Sequence, residues 1–374
     1  MRSSEGSIVK LGDRHYRVRV TVGYSPKTGR QVRTSRTVRG TLREAEAMRD
    51  RLLRDAGGAT SVLYGKMSVS AFVEEEWLPT RKLRPTTRAG YDSIIATHIK
   101  PLFSTVTVEG LTPLYVSKML ASIARPGAAL NTYKMLRSAM NLAVDSDIIR
   151  KNPLNRVSPP ELAEYQAQTY TLGELVTVLA HVRGAVIEPG ILIAATCGLR
   201  ASETCALDWR SLTLERTDEG FSGHVSVEQG YHRVRGERIT TEPKSKRSKR
   251  VVAIPGFAVE RLMEIRGLGP LMVDRTGQRM TPGGFTSRWR RLILPRRNKA
   301  GELIYEPPVR YIELKNLRHS QSTILLDLGA TMHEVSLRDG HASEQVTDQF
   351  YNKAHRKTAD HSVAERFDKA VRRA

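Results

Sequence analysis

The sequence predicts a multidomain α+β protein. It should have a small N-terminal three-stranded sheet plus helix, an all-helical block, and a mainly helical C-terminal block with a small antiparallel sheet. Three observations predict this. Residues 15–22 alternate apolar and polar with period two, the mark of a half-buried strand. Residues 131–143 repeat Tyr133, Leu136, Met140 and Ala143 at helical spacing. Two turn-rich segments, Ala56-Gly57-Gly58-Ala59-Thr60-Ser61 and Val157-Ser158-Pro159-Pro160, divide the 374 residues into three blocks. The expected boundaries are 1–56, a linker at 57–66, a helical block at 67–157, a linker at 158–164, and a C-terminal block at 165–374.

In the first block Tyr16, Val18, Val20 and Val22 fall on one face of a strand, and Arg17, Arg19 and Thr21 on the other. Ser25-Pro26-Lys27-Thr28-Gly29 makes a turn, and a second strand runs through Val32, Thr34, Thr37 and Val38. Thr41 and Glu44 form a capping box that starts a helix over residues 42–55. Residues 1–42 hold ten Lys/Arg against two acids, Glu5 and Asp13. A basic β-ribbon fits a DNA major groove, which makes Arg17, Arg19, Lys27, Arg30, Arg33 and Arg36 candidate DNA contacts.

The second block reads as helices. Ser68 or Ser70 caps one through Phe72, Val73 and Trp77, and Thr86 or Thr87 caps another carrying Tyr91, Ile94, Ile95 and Ile99. Thr112-Pro113 opens a third, with Pro at a first turn, and Asn152-Pro153 ends the region. Trp77 and Tyr133 are core residues by position. In the third block Thr171 and Glu174 form another capping box, and Ile191 to Cys197 reads as a buried helix. Val225 to Val227 and Val251 to Ile254 read as strands joined across the basic loop Lys244 to Arg250. Residues 316–328 and 331–337 read as helices parted by Gly329.

The formal charge of +21 suits a polyanionic partner. Two cysteines, Cys197 and Cys205, exclude a disulfide scaffold and fit a reduced cytoplasm. Neither has the neighbours of a zinc site, so no metal is expected. Met1 to Gly6 leads into no apolar stretch, so no signal peptide is expected. The apolar run from Gly190 to Leu199 is about half the length that spans a bilayer, so no membrane partner is expected. There is no Walker-type phosphate loop.

Four late residues carry the chemistry: Arg200 in Gly198-Leu199-Arg200, Arg318 in Leu317-Arg318-His319-Ser320, His341 after Gly340, and Tyr351 after Phe350. Attack on a phosphodiester builds charge on its non-bridging oxygens, and fixed cations stabilise that charge. Arginine donates two hydrogen bonds to one phosphate and keeps its charge. Arg200 and Arg318 each follow Leu at or near a helix start, where backbone N–H groups and the dipole also favour an anion. The Tyr351 phenol is a nucleophile once a base or a cationic field lowers its pKa from about 10. A phosphotyrosine keeps the energy of the broken bond, so no cofactor is required. The leaving 5′-oxygen needs a proton, and Lys244 or Lys246 can supply it.

These residues, in order, resemble the tyrosine recombinase (phage integrase) family over nearly the whole chain, and in particular its arm-binding type. Gly198 to Glu203 with Leu207-Asp208-Trp209 resembles the family's first-arginine box. Leu317 to Ser320 with Leu325 to Gly329 resembles the second, and Gly340-His341-Ala342-Ser343 with Thr347 and Tyr351 the nucleophile box. The resemblance implies that Arg200 and Arg318 bind the scissile phosphate and that His341 hydrogen-bonds it. Lys244 would protonate the leaving hydroxyl, and Tyr351 would form a 3′-phosphotyrosine that a partner strand resolves. Glu203 would be a structural acid, and Lys246 and Arg247 further DNA contacts. It also implies an arm-type DNA-binding domain, a core-binding domain and a catalytic domain. Partners would be double-stranded DNA at core-type and arm-type attachment sites, a homotetramer on DNA, a host DNA-bending factor and an excisionase. The implied function is integration and excision of a phage or mobile element. A type IB topoisomerase shares such an active site, and a non-catalytic DNA-binding regulator is the reading from another class.

Two positions depart from the family pattern. Lys315 stands where the family usually has His. A His accepts a proton more readily near neutral pH, so Lys315 is expected to act electrostatically while His341 or water takes the phenolic proton. Asp339 stands where Leu is usual, and the sequence gives it no role. Val363, Phe367 and Val371 lie at i, i+4 and i+8, a stripe that docks on its own domain or on a neighbouring protomer.

Overall fold

Strict alternation at the N-terminus produces a covered face and an exposed one. A computed structural model describes residues 6–24, 31–55, 64, 66–163, 168–242, 249–340 and 361–373. Strands β1 (Ser7–Gly12), β2 (His15–Tyr24) and β3 (Gln31–Arg39) form an antiparallel sheet in that order. Val18 and Val20 are fully buried with Ala45 of helix α1 (Leu42–Asp55), while Arg17 and Arg19 are exposed. The expected capping box starts α1: Glu44 Oε2 accepts from the Thr41 amide at 2.6 Å, and the Glu44 amide donates to Thr41 Oγ1 at 3.3 Å.

Register sorts the described members of the basic set between two faces. Paired residues in an antiparallel sheet share a face. Arg17 pairs with Thr37, Arg19 with Ser35, Thr21 with Arg33 and His15 with Arg39. Arg17, Arg19, Arg33 and Arg39 therefore line the exposed face. Arg36 pairs with Val18 on the side of the sheet where α1 packs, and is itself exposed. Lys27, Arg30 and the Ser25–Gly29 turn lie outside the described residues, as does the Ala56–Ser61 linker.

The chain divides into two compact units, Met1–Glu164 and Tyr165–Ala374. Within the first, residues 68–157 are helical around a separate core that includes Phe72, Trp77, Ile99, Leu136 and Met140. Ser68 caps the segment that runs through Trp77, accepting from the Ala71 amide at 3.2 Å. Thr112 caps Pro113–Ala121. The cap expected at Thr86 or Thr87 lies earlier, at Arg84: Pro85 occupies the first turn and no side chain caps it, because proline supplies the helical φ without needing a partner. Trp77 stacks on Tyr91 with centroids 5.5 Å apart, and Tyr133 is buried, so both are core residues.

The second unit packs helices around a three-stranded sheet. Thr171 and Glu174 form the expected capping box of Leu172–His181. Strands β4 (Leu212–Thr217), β5 (Gly220–Val227) and β8 (Arg250–Ala253) pair antiparallel in the order β4-β5-β8. Strands β5 and β8 are paired but not consecutive in the chain. A hairpin of β6 (Gly230–Val234) and β7 (Glu237–Thr241) intervenes, closed by Arg235 and Gly236, both at positive φ, as a type I′ turn requires. The tail helix His361–Arg373 packs on its own unit. Phe367 is fully buried against Phe257, and Asp368 Oδ1 accepts from the Phe257 amide at 2.5 Å. No described helix is long and apolar enough to cross a membrane.

Candidate active site

Helix Glu188–Cys197 is buried at every position and ends at Gly198 with φ +66°. Glycine adopts that left-handed conformation without a Cβ penalty. The turn delivers Arg200 as the N-cap of Ala201–Ala206, with 45% of its side chain exposed. Glu203, one turn on, closes back on it. Glu203 Oε1 lies 2.7 Å from Arg200 Nη1, and Oε2 accepts from the Arg200 amide at 3.1 Å. That amide is therefore not open to an anion, and the helix has only six residues. The group that Arg200 offers is its half-exposed guanidinium.

Glu203 also binds a third arginine. Arg250, the first residue of β8, donates from Nη2 to Glu203 Oε2 at 3.0 Å and from Nε to the Arg338 carbonyl at 2.9 Å. Its side chain is 6% exposed. Burial pushes the Glu203 pKa up, but the charge and hydrogen bond of Arg250, then Arg200, outweigh that and hold it below the ordinary value. Sequence reasoning missed Arg250 as a site residue; its one signal was its position directly before the apolar strand that follows the basic loop.

Arg318 is the third residue of Asn316–Asp327 and is 7% exposed. Its Nη1 donates to the Gly198 carbonyl at 2.7 Å, and its Nη2 donates to the Asp339 carbonyl. Asp339 ends helix Met332–Asp339, and its Oδ2 lies 3.6 Å from Arg318 Nε. Burial, opposed by Asp339 and reinforced by Arg200 and Arg250, pushes the Arg318 pKa down to about 10. It stays charged at neutral pH. The helix is held from behind by Ser320, whose hydroxyl accepts from the Tyr170 amide at 2.9 Å.

The structure thus gathers Arg200, Glu203 and Arg318, and adds Arg250 and Asp339. Lys315 precedes the same helix as its N-cap. It is 59% exposed, with its Nζ 3.0 Å from Glu313 Oε2. Gly340 ends Met332–Asp339 at φ +63°, and an added Cβ would meet Arg250 Cδ at 3.0 Å. The chain therefore leaves toward position 341 from beside Arg250. Lys244, Lys246, Arg247, His341 and Tyr351 lie outside the described residues. Among the described residues no three His, Cys, Asp or Glu side chains gather as metal ligands.

The chain is similar to known proteins over most of its length. Residues 174–358 match the phage integrase family, and residues 72–123 match the phage integrase N-terminal SAM-like domain. The integrase of Mycobacterium phage L5 is 27% identical over 317 residues, covering 82% of each chain. The Tn1549 transposon integrase, solved with a circular intermediate DNA, superposes with a TM-score of 0.61 at 18% identity. That match covers 74% of this chain and 92% of the integrase. A lambda integrase dimer bound to a COC′ core site gives 0.55 at 15% identity, covering 94% and 96%.

Proposed function

The chain belongs to the phage integrase family, as a tyrosine-type site-specific recombinase, and from that premise we propose how its residues perform strand exchange. Arg200 and Arg318 hold the non-bridging oxygens of one scissile phosphodiester. The Tyr351 oxygen attacks phosphorus as the P–O5′ bond breaks; its phenolic proton passes to His341 or water, and a proton from Lys244 goes to the leaving 5′-oxygen. The product is a 3′-phosphotyrosine and a free 5′-hydroxyl. The 5′-hydroxyl of a partner strand then attacks the phosphotyrosine, and the tyrosine hydroxyl is restored. Lys315 contributes positive charge, and His341 hydrogen-bonds the phosphate.

The observation that carries this reading is the bond from Arg318 to the Gly198 carbonyl. It ties the second arginine to the turn that presents the first. Glu203 holds Arg200 and Arg250 in place. Arginine forks fixed in advance stabilise developing charge without reorganising as the reaction proceeds.

The exposed basic face of the N-terminal sheet supports a second DNA contact, at arm-type sites, while the helical block and the C-terminal unit engage core-type sites. On DNA the active assembly is a homotetramer. A host DNA-bending factor and an excisionase set the direction of integration or excision. Strand exchange between two duplexes carrying the element's own attachment sites tests the reading. Wild type should give recombinant products and Tyr351→Phe none. Relaxation of supercoiled DNA without any exchange between sites would instead indicate a topoisomerase.

A further inference from the structure

The sequence gives Asp339 no role, and at 1% exposure it is more deeply buried than Glu203, Arg250 or Arg318. A carboxylate taken out of water is costly unless it is paired and hydrogen-bonded. Both conditions are met at Oδ2. The Ser322 hydroxyl donates to it at 2.8 Å, and Arg318 Nε lies 3.6 Å away. The backbone of the same residue takes a further share, because Arg318 Nη2 donates to the Asp339 carbonyl while Nη1 donates to that of Gly198. The guanidinium is thus held at all three nitrogens. A fork has five N–H donors. After these contacts one hydrogen remains on each terminal nitrogen, the number that a two-point grip on a phosphate needs.

Gly198 completes the grip. A Cβ built there would collide with Asp339 Oδ1 and stand 2.8 Å from Gln321 Oε1. The turn that presents Arg200 therefore packs directly on the carboxylate beside Arg318.

We infer that Asp339 is a positioning residue for Arg318: its carboxylate and carbonyl fix the guanidinium so that its two remaining terminal hydrogens meet the scissile phosphate. The inference rests on the reading of Arg318 as a phosphate ligand.

Single-turnover cleavage of a nicked suicide duplex at saturating protein tests it, with the normal scissile phosphate and with a methylphosphonate in its place. The methylphosphonate lacks the charged oxygen that a fixed guanidinium serves. Asp339→Asn keeps the shape and removes the charge. Its cleavage of the phosphate substrate should fall about 10- to 100-fold, the cost of a small misplacement of a catalytic group. DNA affinity should stay within about twofold, and on the methylphosphonate the variant should match wild type. Equal slowing on both substrates, or no slowing on either, would overturn the inference. If Asp339→Asn does not fold, Ser322→Ala, which removes only the anchoring hydroxyl, should show the same selective loss and is judged by the same two outcomes. Arg318→Ala separates the layers. If it cleaves the phosphate substrate at the wild-type rate, the reading of Arg318 itself is wrong; if it is inactive while Asp339→Asn is normal, only the positioning role fails.

Discussion

Arg318 Nη1 donates to the carbonyl of Gly198 at 2.7 Å, across 120 residues of chain. Two boxes far apart in sequence are joined by one hydrogen bond, and the residue that accepts it must be glycine twice over. Its φ is +66°, and an added Cβ would strike Asp339 and Gln321. Gly198→Ala should therefore cost about 1–3 kcal/mol for overpacking, in addition to the strain of a left-handed alanine. Chemical denaturation measures the loss. Cleavage of DNA should fall with it, because Arg200 and Arg318 are displaced together.

Glu203 bridges Arg200 and Arg250 from a mostly buried position. Replacing it with Gln leaves two guanidiniums facing a neutral amide, which should cost about 3 kcal/mol. The pH dependence has a definite sign. A carboxyl whose folded pKa is lowered stabilises the fold fully above its unfolded value of about 4.3. That stabilisation disappears as pH falls through the lower folded pKa. The stability gap between wild type and Glu203→Gln should thus be constant from pH 7 to pH 5 and close in stronger acid. Denaturation curves across pH measure it.

Much of the fold was legible because its signals are local. Alternation at residues 15–22 gave β2, and Thr-x-x-Glu spacing gave the helices beginning after Thr41 and Thr171. The capping box at Thr331 and Glu334 carried the same signal and went unread as one. The β6–β7 hairpin turns on Arg235-Gly236 rather than Asn-Gly, so it lacked the usual turn signature. At the site, the contexts of Arg200 and Arg318 were readable. Arg250 and Asp339 were not, since their ion pairs reach across 47 and 21 residues and nothing in local spacing encodes such a meeting. Arg36 is exposed like its basic neighbours, and register alone places it on the other side of the sheet.

That register makes a prediction for the N-terminal sheet. Arg17→Ala and Arg19→Ala remove cations from the exposed face. Each should lower the slope of log affinity against log salt for arm-type DNA by about 0.9 for every phosphate it no longer neutralises. Arg36→Ala, exposed on the opposite side of the sheet, should lower the slope less than either. Binding titrations at several salt concentrations compare the three.

The tail helix places Phe367 in the core of its own unit, edge-on to Phe257 at 6.1 Å. Phe367→Ala should cost about 3–5 kcal/mol of stability, measured by chemical denaturation of the protein without DNA. An unchanged stability would mean that this stripe is not a core element of the isolated chain.

The central claim is that cleavage passes through a tyrosine held against a phosphate by Arg200 and Arg318. Its most direct test is to trap the protein on a nicked suicide duplex and map the DNA-linked peptide by mass spectrometry. The account predicts one adduct, a 3′-phosphate on Tyr351, absent in Tyr351→Phe and reduced at least about 100-fold in Arg318→Lys, which cannot reproduce a fork. An adduct on another residue, or full adduct formation by Arg318→Lys, would contradict it.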